Sequence, residues 1–254
     1  MNNISYGLFA GATALLASLA IAGPAQADAK NIVLVHGMMV DGSGWKDVAT
    51  ILQNEGYNVT VTQNPLTGFD QDLLSTQRAL DQQSGSTVLV GHSYGGMVIT
   101  EAGVDPKVAA LVYVAALQPD VGDTMGGLNA TMPALIDATA MRASTDGYVT
   151  MEPTAFARDI ASDLPEQEAA FLAASQSPTA ASVFTYEVSV AAWHDKPSYA
   201  IVATADRTIN PELERWMYAR SKAEVTEIDA GHLVYMSHAQ EVVDVIIKAA
   251  KAVP

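Results

Sequence analysis

The chain contains no cysteine. That excludes a disulfide framework, a thiolate nucleophile and any zinc site built on cysteine, so stability must come from a hydrophobic core. Positive charge is also scarce: 13 Lys and Arg stand against 28 Asp and Glu, a formal net charge of −15. An acidic surface of this kind repels phosphate backbones and argues against nucleic acid as a partner. The glycine-rich stretch "HGMMVDGSG" lacks a P-loop lysine and the G-x-G-x-x-G spacing, which argues against phosphate binding. No internal repeat or low-complexity tract is evident.

What is present is enough for one substantial core. The 254 residues are 49% apolar, which suits a single globular domain. The first 27 residues stand apart. "GLFAGATALLASLAIAG" is an apolar run followed by Ala25-Gln26-Ala27, a small-residue cleavage pattern, and residues 1–27 read as a secretory signal peptide. The leading "MNNISY" carries no Lys or Arg, a departure from the usual pattern. A membrane anchor is the competing reading, at the short limit of length for a span. Cleavage would leave an exported protein, periplasmic or secreted, with no stable membrane association.

From Asn31 onward, β-branched runs alternate with amphipathic segments: "NIVLV", "WKDVATILQNEG", "YNVTVT", "DQDLLSTQRALDQQ", "STVLVG", "YGGMVITEAG". Continuous apolar strands separated by helical patterns indicate parallel strands covered on both faces, an α/β doubly wound, mostly parallel sheet. "VAALVYVAAL" continues the pattern, which resumes after Pro197 with "SYAIVATAD", "AEVTEID" and the helix "AQEVVDVIIKAAK". Asn210-Pro211-Glu212 reads as a helix start, with a capping Asn, Pro at the first position and an acid in the first turn. The core therefore falls in two blocks, 28–117 and 197–254. The stretch between them, about 118–196, is too long for a bare loop and reads as a mostly helical cap over the carboxyl edge of the sheet.

Gly91-His92-Ser93-Tyr94-Gly95 fits G-x-S-x-G and has a strand before it and a helix after it, the context that presents a serine on a strained turn. A serine hydroxyl is a weak nucleophile and needs a base, with an acid behind the base to fix its tautomer. Of five histidines, His36 and His92 are locally too constrained to reach Ser93, and His194 in "AWHDKP" suits a solvated or packing role. His232, in the loop before the last helix, lies at the carboxyl edge and is the expected general base, with His238 second. Asp206 ends a strand between Ser93 and His232 in the chain and is the expected orienting acid; Asp120, also after a strand, is the alternative. Asp229 is too close to His232 along the chain. Two backbone donors would complete an oxyanion hole: the N–H of Tyr94 and that of Met38 in the first strand-to-helix turn.

The segments "VLVHGMMVDGSGW", "VLVGHSYGGMVI", "LVYVAALQPD", "IVATADRTINPELERWM" and "DAGHLVYMSHAQEV" together resemble the α/β-hydrolase superfamily. The similarity is closest to its esterase and hydroxynitrile lyase group, which includes plant methyl-salicylate esterases, and to bacterial α/β hydrolases. The resemblance implies the α/β-hydrolase fold, with Ser93, His232 and Asp206 in the triad positions and Met38 and Tyr94 in the oxyanion positions. Leu233 stands where hydroxynitrile lyases carry a Lys, which favours hydrolysis over lyase activity. Ser93 stands where haloalkane dehalogenases use an Asp, so dehalogenation is not expected. The expected activity is that of a serine esterase on a small, mostly apolar ester, lactone or carbamate, with no cofactor and no metal. A ligand-binding homologue without useful turnover and a cofactor-free perhydrolase or oxygenase are the alternatives.

Overall fold

The computed structural model describes Met1 and residues 28–253, so the stretch read as a signal peptide lies, but for its first residue, outside the described residues. The first block forms β1 (Asn31–Val35), α1 (Lys46–Asn54), β2 (Asn58–Val61), α2 (Phe69–Asp81), β3 (Thr87–Ser93), α3 (Gly95–Ala102) and β4 (Val108–Ala116). The inserted stretch forms α4 (Met125–Thr131), β5 (Met141–Ala143), β6 (Tyr148–Met151), α5 (Pro153–Asp159), α6 (Glu166–Ala174) and β7 (Thr179–Ala180). The second block forms β8 (Ser198–Ala203), α7 (Pro211–Ser221), β9 (Glu224–Ile228), α8 (Val234–Ser237) and α9 (Ala239–Lys251).

Six strands make one sheet in the order β2-β1-β3-β4-β8-β9, every neighbouring pair parallel. β1, β3 and β8 are buried along their whole length, as expected of apolar strands with helices on both faces. On one face α1 and α9 bury Val48 and Leu52 with Val242 and Ile246; on the other, α2, α3 and α7 bury Leu80, Val98 and Leu213. α7 starts as its sequence suggested, with Asn210 Oδ1 accepting the Glu212 N–H at 2.9 Å and Pro211 at the first position. After β1 the chain moves outward to β2, then returns to the other side of β1 as β3. The crevice beyond the carboxyl ends of β1 and β3 is thus the switch point where a doubly wound sheet builds its sites.

The insertion leaves from the end of β4 and re-enters at β8, its neighbour in the sheet. It holds the expected helices and, in addition, a small antiparallel sheet, β5-β6-β7, that its sequence did not announce. Strands of two to four residues are too short to display a readable alternation. The insertion is seated on the crevice through Met39, which pairs with Ser177 in an isolated bridge and donates its N–H to Thr179 Oγ1 at 3.1 Å.

Candidate active site

Ser93 is the last residue of β3 and has φ of 55°, a left-handed conformation that costs a non-glycine residue about 1–2 kcal/mol. The turn closes only because its flanks lack side chains. A Cβ on Gly91 would lie 2.6 Å from the Gly95 carbonyl oxygen, and one on Gly95 would lie 2.7 Å from that of Val35. The glycines of the motif therefore let β3, α3 and the end of β1 approach closely, and the strained turn lifts Ser93 into the crevice.

His232 sits in the loop between β9 and α8, where its Nε2 meets Ser93 Oγ at 2.9 Å and its Nδ1 meets Asp206 Oδ2 at 2.6 Å. All three side chains are buried. The other oxygen of Asp206 accepts the backbone N–H groups of Thr208 at 2.6 Å and Ile209 at 3.0 Å. The carboxylate is thereby locked with Oδ2 facing the imidazole, and Nδ1 must carry the proton. Nε2 is then an acceptor, oriented to take the hydroxyl proton of Ser93.

The remaining candidates lie apart from this chain. Asp120 pairs with His194 Nε2 at 2.9 Å on the surface, and exposed Asp229 meets only Thr204, at 3.4 Å. His238 meets its neighbour Ser237 at 2.9 Å. His36 Nε2 accepts the Asn64 N–H at 2.9 Å, so its Nδ1–H donates to the Gly37 carbonyl at 2.8 Å, and burial lowers its pKa. That bonding pattern makes it a neutral brace at the foot of the first turn. Met38 and Tyr94 both line the cavity beside Ser93. A Cβ on Gly37 would come within 2.8 Å of Ser93 Cβ, which shows how tightly the Met38 turn is pressed against the serine.

Several supporting groups gave no signal in the sequence. His92 donates Nε2–H to the His232 carbonyl at 3.0 Å; burial, reinforced by His232 beside it, pushes its pKa well down, so it is a neutral donor that fixes the backbone of His232. Tyr94 donates its hydroxyl to Asp72 Oδ2 at 2.8 Å, while Asp72 Oδ1 accepts the Leu66 N–H at 2.8 Å. Asp72 is fully buried, and burial raises its pKa to about 6, against the lowering effect of these two bonds. Glu214 is buried, and among the described residues neither carboxyl oxygen has a partner in hydrogen-bond geometry; burial, and then the nearby charge of Asp206, raise its pKa well above the usual range. Burial at that position therefore favours the neutral acid over the charged form.

Above Ser93 lies a cavity of about 300 Å³, at the lower end for small-molecule sites. Its walls are mostly apolar, with Met125, Ile136, Met141 and Phe184 from the insertion and Leu117 and Leu233 from the sheet edge. Among the described residues no cluster of three or more His, Asp or Glu could hold a metal ion, and no helix is long and apolar enough to cross a membrane.

A doubly wound parallel sheet with a serine on a strand-to-helix elbow, and a histidine and an aspartate from later loops beside it, defines the hydrolase class of α/β proteins. Residues 32–245 match the family model described as "Alpha/beta hydrolase family", and the chain belongs to that family. Among curated proteins it is 26% identical to esterase PIR7B of Oryza sativa subsp. japonica, over 87% of this chain and 96% of that one. It is 33% identical to the carbendazim hydrolyzing esterase of Nocardioides sp. (strain SG-4G), over 39% and 46% of the two chains. Among solved structures, a pyrethroid hydrolase from Sphingobium faniae JZ-2 superposes with a TM-score of 0.76 at 19% identity, over 88% of this chain and 98% of that one.

Proposed function

We propose that this protein is a serine esterase acting on small, mostly apolar carboxylic esters, lactones and carbamates being chemically related acyl donors for the same site. The carrying observation is the continuous hydrogen-bonded chain from Asp206 through His232 to Ser93, ending at an apolar cavity. In this reading Ser93 Oγ attacks the acyl carbon as its proton passes to His232 Nε2. The negative oxygen that develops is stabilised by the N–H groups of Met38 and Tyr94, and Asp206 stabilises the imidazolium. The imidazolium then gives its proton to the departing alkoxide, and water repeats the sequence on the acyl-enzyme. In this reading the bond making and proton transfer are carried by Ser93, His232, Asp206 and the N–H groups of Met38 and Tyr94.

The size and lining of the cavity support a small apolar acyl or alcohol group. The names of the relatives support ester hydrolysis. The N-terminal sequence supports export, with the enzyme working outside the cytoplasm. Hydrolysis of p-nitrophenyl butyrate by the purified protein and by Ser93→Ala tests the assignment. Turnover should fall at least about 10³-fold in the variant; equal rates would refute a serine nucleophile.

A further inference from the structure

One stretch of the insertion touches both of the loops that carry the acid and the base. Asp163, beyond the end of α5, accepts the Gly231 N–H at 2.9 Å and the Ser237 hydroxyl at 2.5 Å, both on Oδ2. These partners lie 68 and 74 residues away in the chain, one immediately before His232 and one at the end of α8. Four residues earlier, fully buried Asp159 accepts Arg207 Nε at 2.8 Å, and its carbonyl accepts the Thr208 hydroxyl at 2.9 Å. Arg207 and Thr208 immediately follow Asp206.

Neither bond of Asp163 serves the insertion's own structure, since both donors belong to the sheet domain. Its second oxygen is buried and has no hydrogen-bonding partner among the described residues, an arrangement that costs stability. Gly231 is shaped to the contact: a Cβ there would collide with Ser162 Oγ and lie 2.8 Å from Asp163 Oδ1. With His92 holding the His232 carbonyl, the Asp163 bond to the Gly231 N–H fixes the Ala230–Gly231 peptide, one link before His232 on the opposite side.

We propose that Asp163 is a positioning residue for His232, and that the segment from Asp159 to Asp163 braces the base loop and the acid loop against each other from the cap. The proposal rests on His232 being the general base. Its physical basis is the steep dependence of proton transfer on geometry: a displacement of about 1 Å costs on the order of 100-fold in rate. Removing Asp163 leaves the cavity walls in place, so substrate binding persists while alignment is lost.

The test measures kcat and KM separately for Asp163→Ala and Asp163→Asn on p-nitrophenyl butyrate, with circular dichroism to establish that each is folded. Asp163→Ala should lower kcat about 10- to 100-fold with KM within about threefold. Asp163→Asn keeps a carbonyl oxygen that can accept both the Gly231 N–H and the Ser237 hydroxyl, as Oδ2 does, so kcat should recover to within about fivefold of the parent. Should Asp163→Ala not fold, Ser237→Ala, which removes one of the two donors, should lower kcat about threefold or more at constant KM. Unchanged kcat in Asp163→Ala, or in Ser237→Ala where that variant decides, overturns the role. So do parallel losses in Asp163→Ala and Asp163→Asn. Ser93→Ala is measured alongside: an active Ser93→Ala refutes the serine reading itself, whereas an inactive one beside a fully active Asp163→Ala refutes only the brace.

Discussion

Asp206→Asn tests the orienting role proposed for the acid with little change in shape. In the parent, one carboxylate oxygen accepts two backbone N–H groups and the other accepts His232 Nδ1–H. An asparagine must choose which end to turn toward the imidazole. Turning its NH2 toward Thr208 and Ile209 would set donors against two N–H donors, so the amide oxygen stays there and the NH2 faces Nδ1. His232 can meet that donor only by moving its proton to Nε2, which then points a hydrogen at Ser93 Oγ where an acceptor is needed. The base is lost while the backbone bonds survive. In triads of this kind such a tautomer switch lowers turnover about 10⁴-fold, equivalent to about 5.5 kcal/mol in the barrier. Steady-state hydrolysis of p-nitrophenyl butyrate reads the change, with thermal unfolding showing that the fold persists. Asp120→Asn, altering a surface pair with His194, should leave turnover within about twofold of the parent. Turnover of Asp206→Asn within tenfold of the parent, or a larger loss in Asp120→Asn, would refute the assignment.

Asp72 and Glu214 give two further expectations. Asp72 has a folded pKa of about 6 against an ordinary 3.8, so folding favours its protonated form. Its contribution is therefore fully present below about pH 3.8 and falls as pH rises to about 6, by on the order of 2–3 kcal/mol. In urea unfolding, the stability advantage of the parent over Asp72→Asn should shrink between pH 4 and pH 7.5; a widening gap would contradict the burial argument. Glu214, whose burial favours its neutral form, should tolerate Glu214→Gln with less than about 1 kcal/mol lost and turnover at pH 7 within about threefold. A tenfold loss of turnover in that variant would show that its charged form is in use.

The parts legible in the sequence were those with local signatures. β1 and β3 read as buried parallel strands because "NIVLV" and "TVLV" have no polar face, and the elbow is visible because its glycines, strand and helix adjoin Ser93. Asp206 and His232 could be nominated because each follows a strand at the carboxyl edge, in the order that such sites follow. The braces could not be read. Asp72, Asp159, Asp163 and Glu214 sit among 28 acidic residues in a chain where most acids are solvated, and apart from Arg158 beside Asp159 no neighbour in the sequence marks them out. The contacts of Asp159 and Asp163 that reach the acid and base loops span 48 to 74 residues, and only the folded chain brings those partners together. His92 was set aside as a base because it sits inside the elbow, and its ring is bonded to the His232 carbonyl. That bond is its contribution.

Because the insertion leaves from β4 and returns at β8, two strands that lie side by side, it behaves topologically as one oversized loop between neighbours. Such a loop can be exchanged for another without reordering a strand, which makes the lining of the cavity a replaceable part. The exchange is not free of conditions. A transplanted cap would have to bring its own acceptor for the Gly231 N–H, and one for the Thr208 hydroxyl. A graft chosen only for the shape of its pocket would arrive with the right walls around a slack histidine.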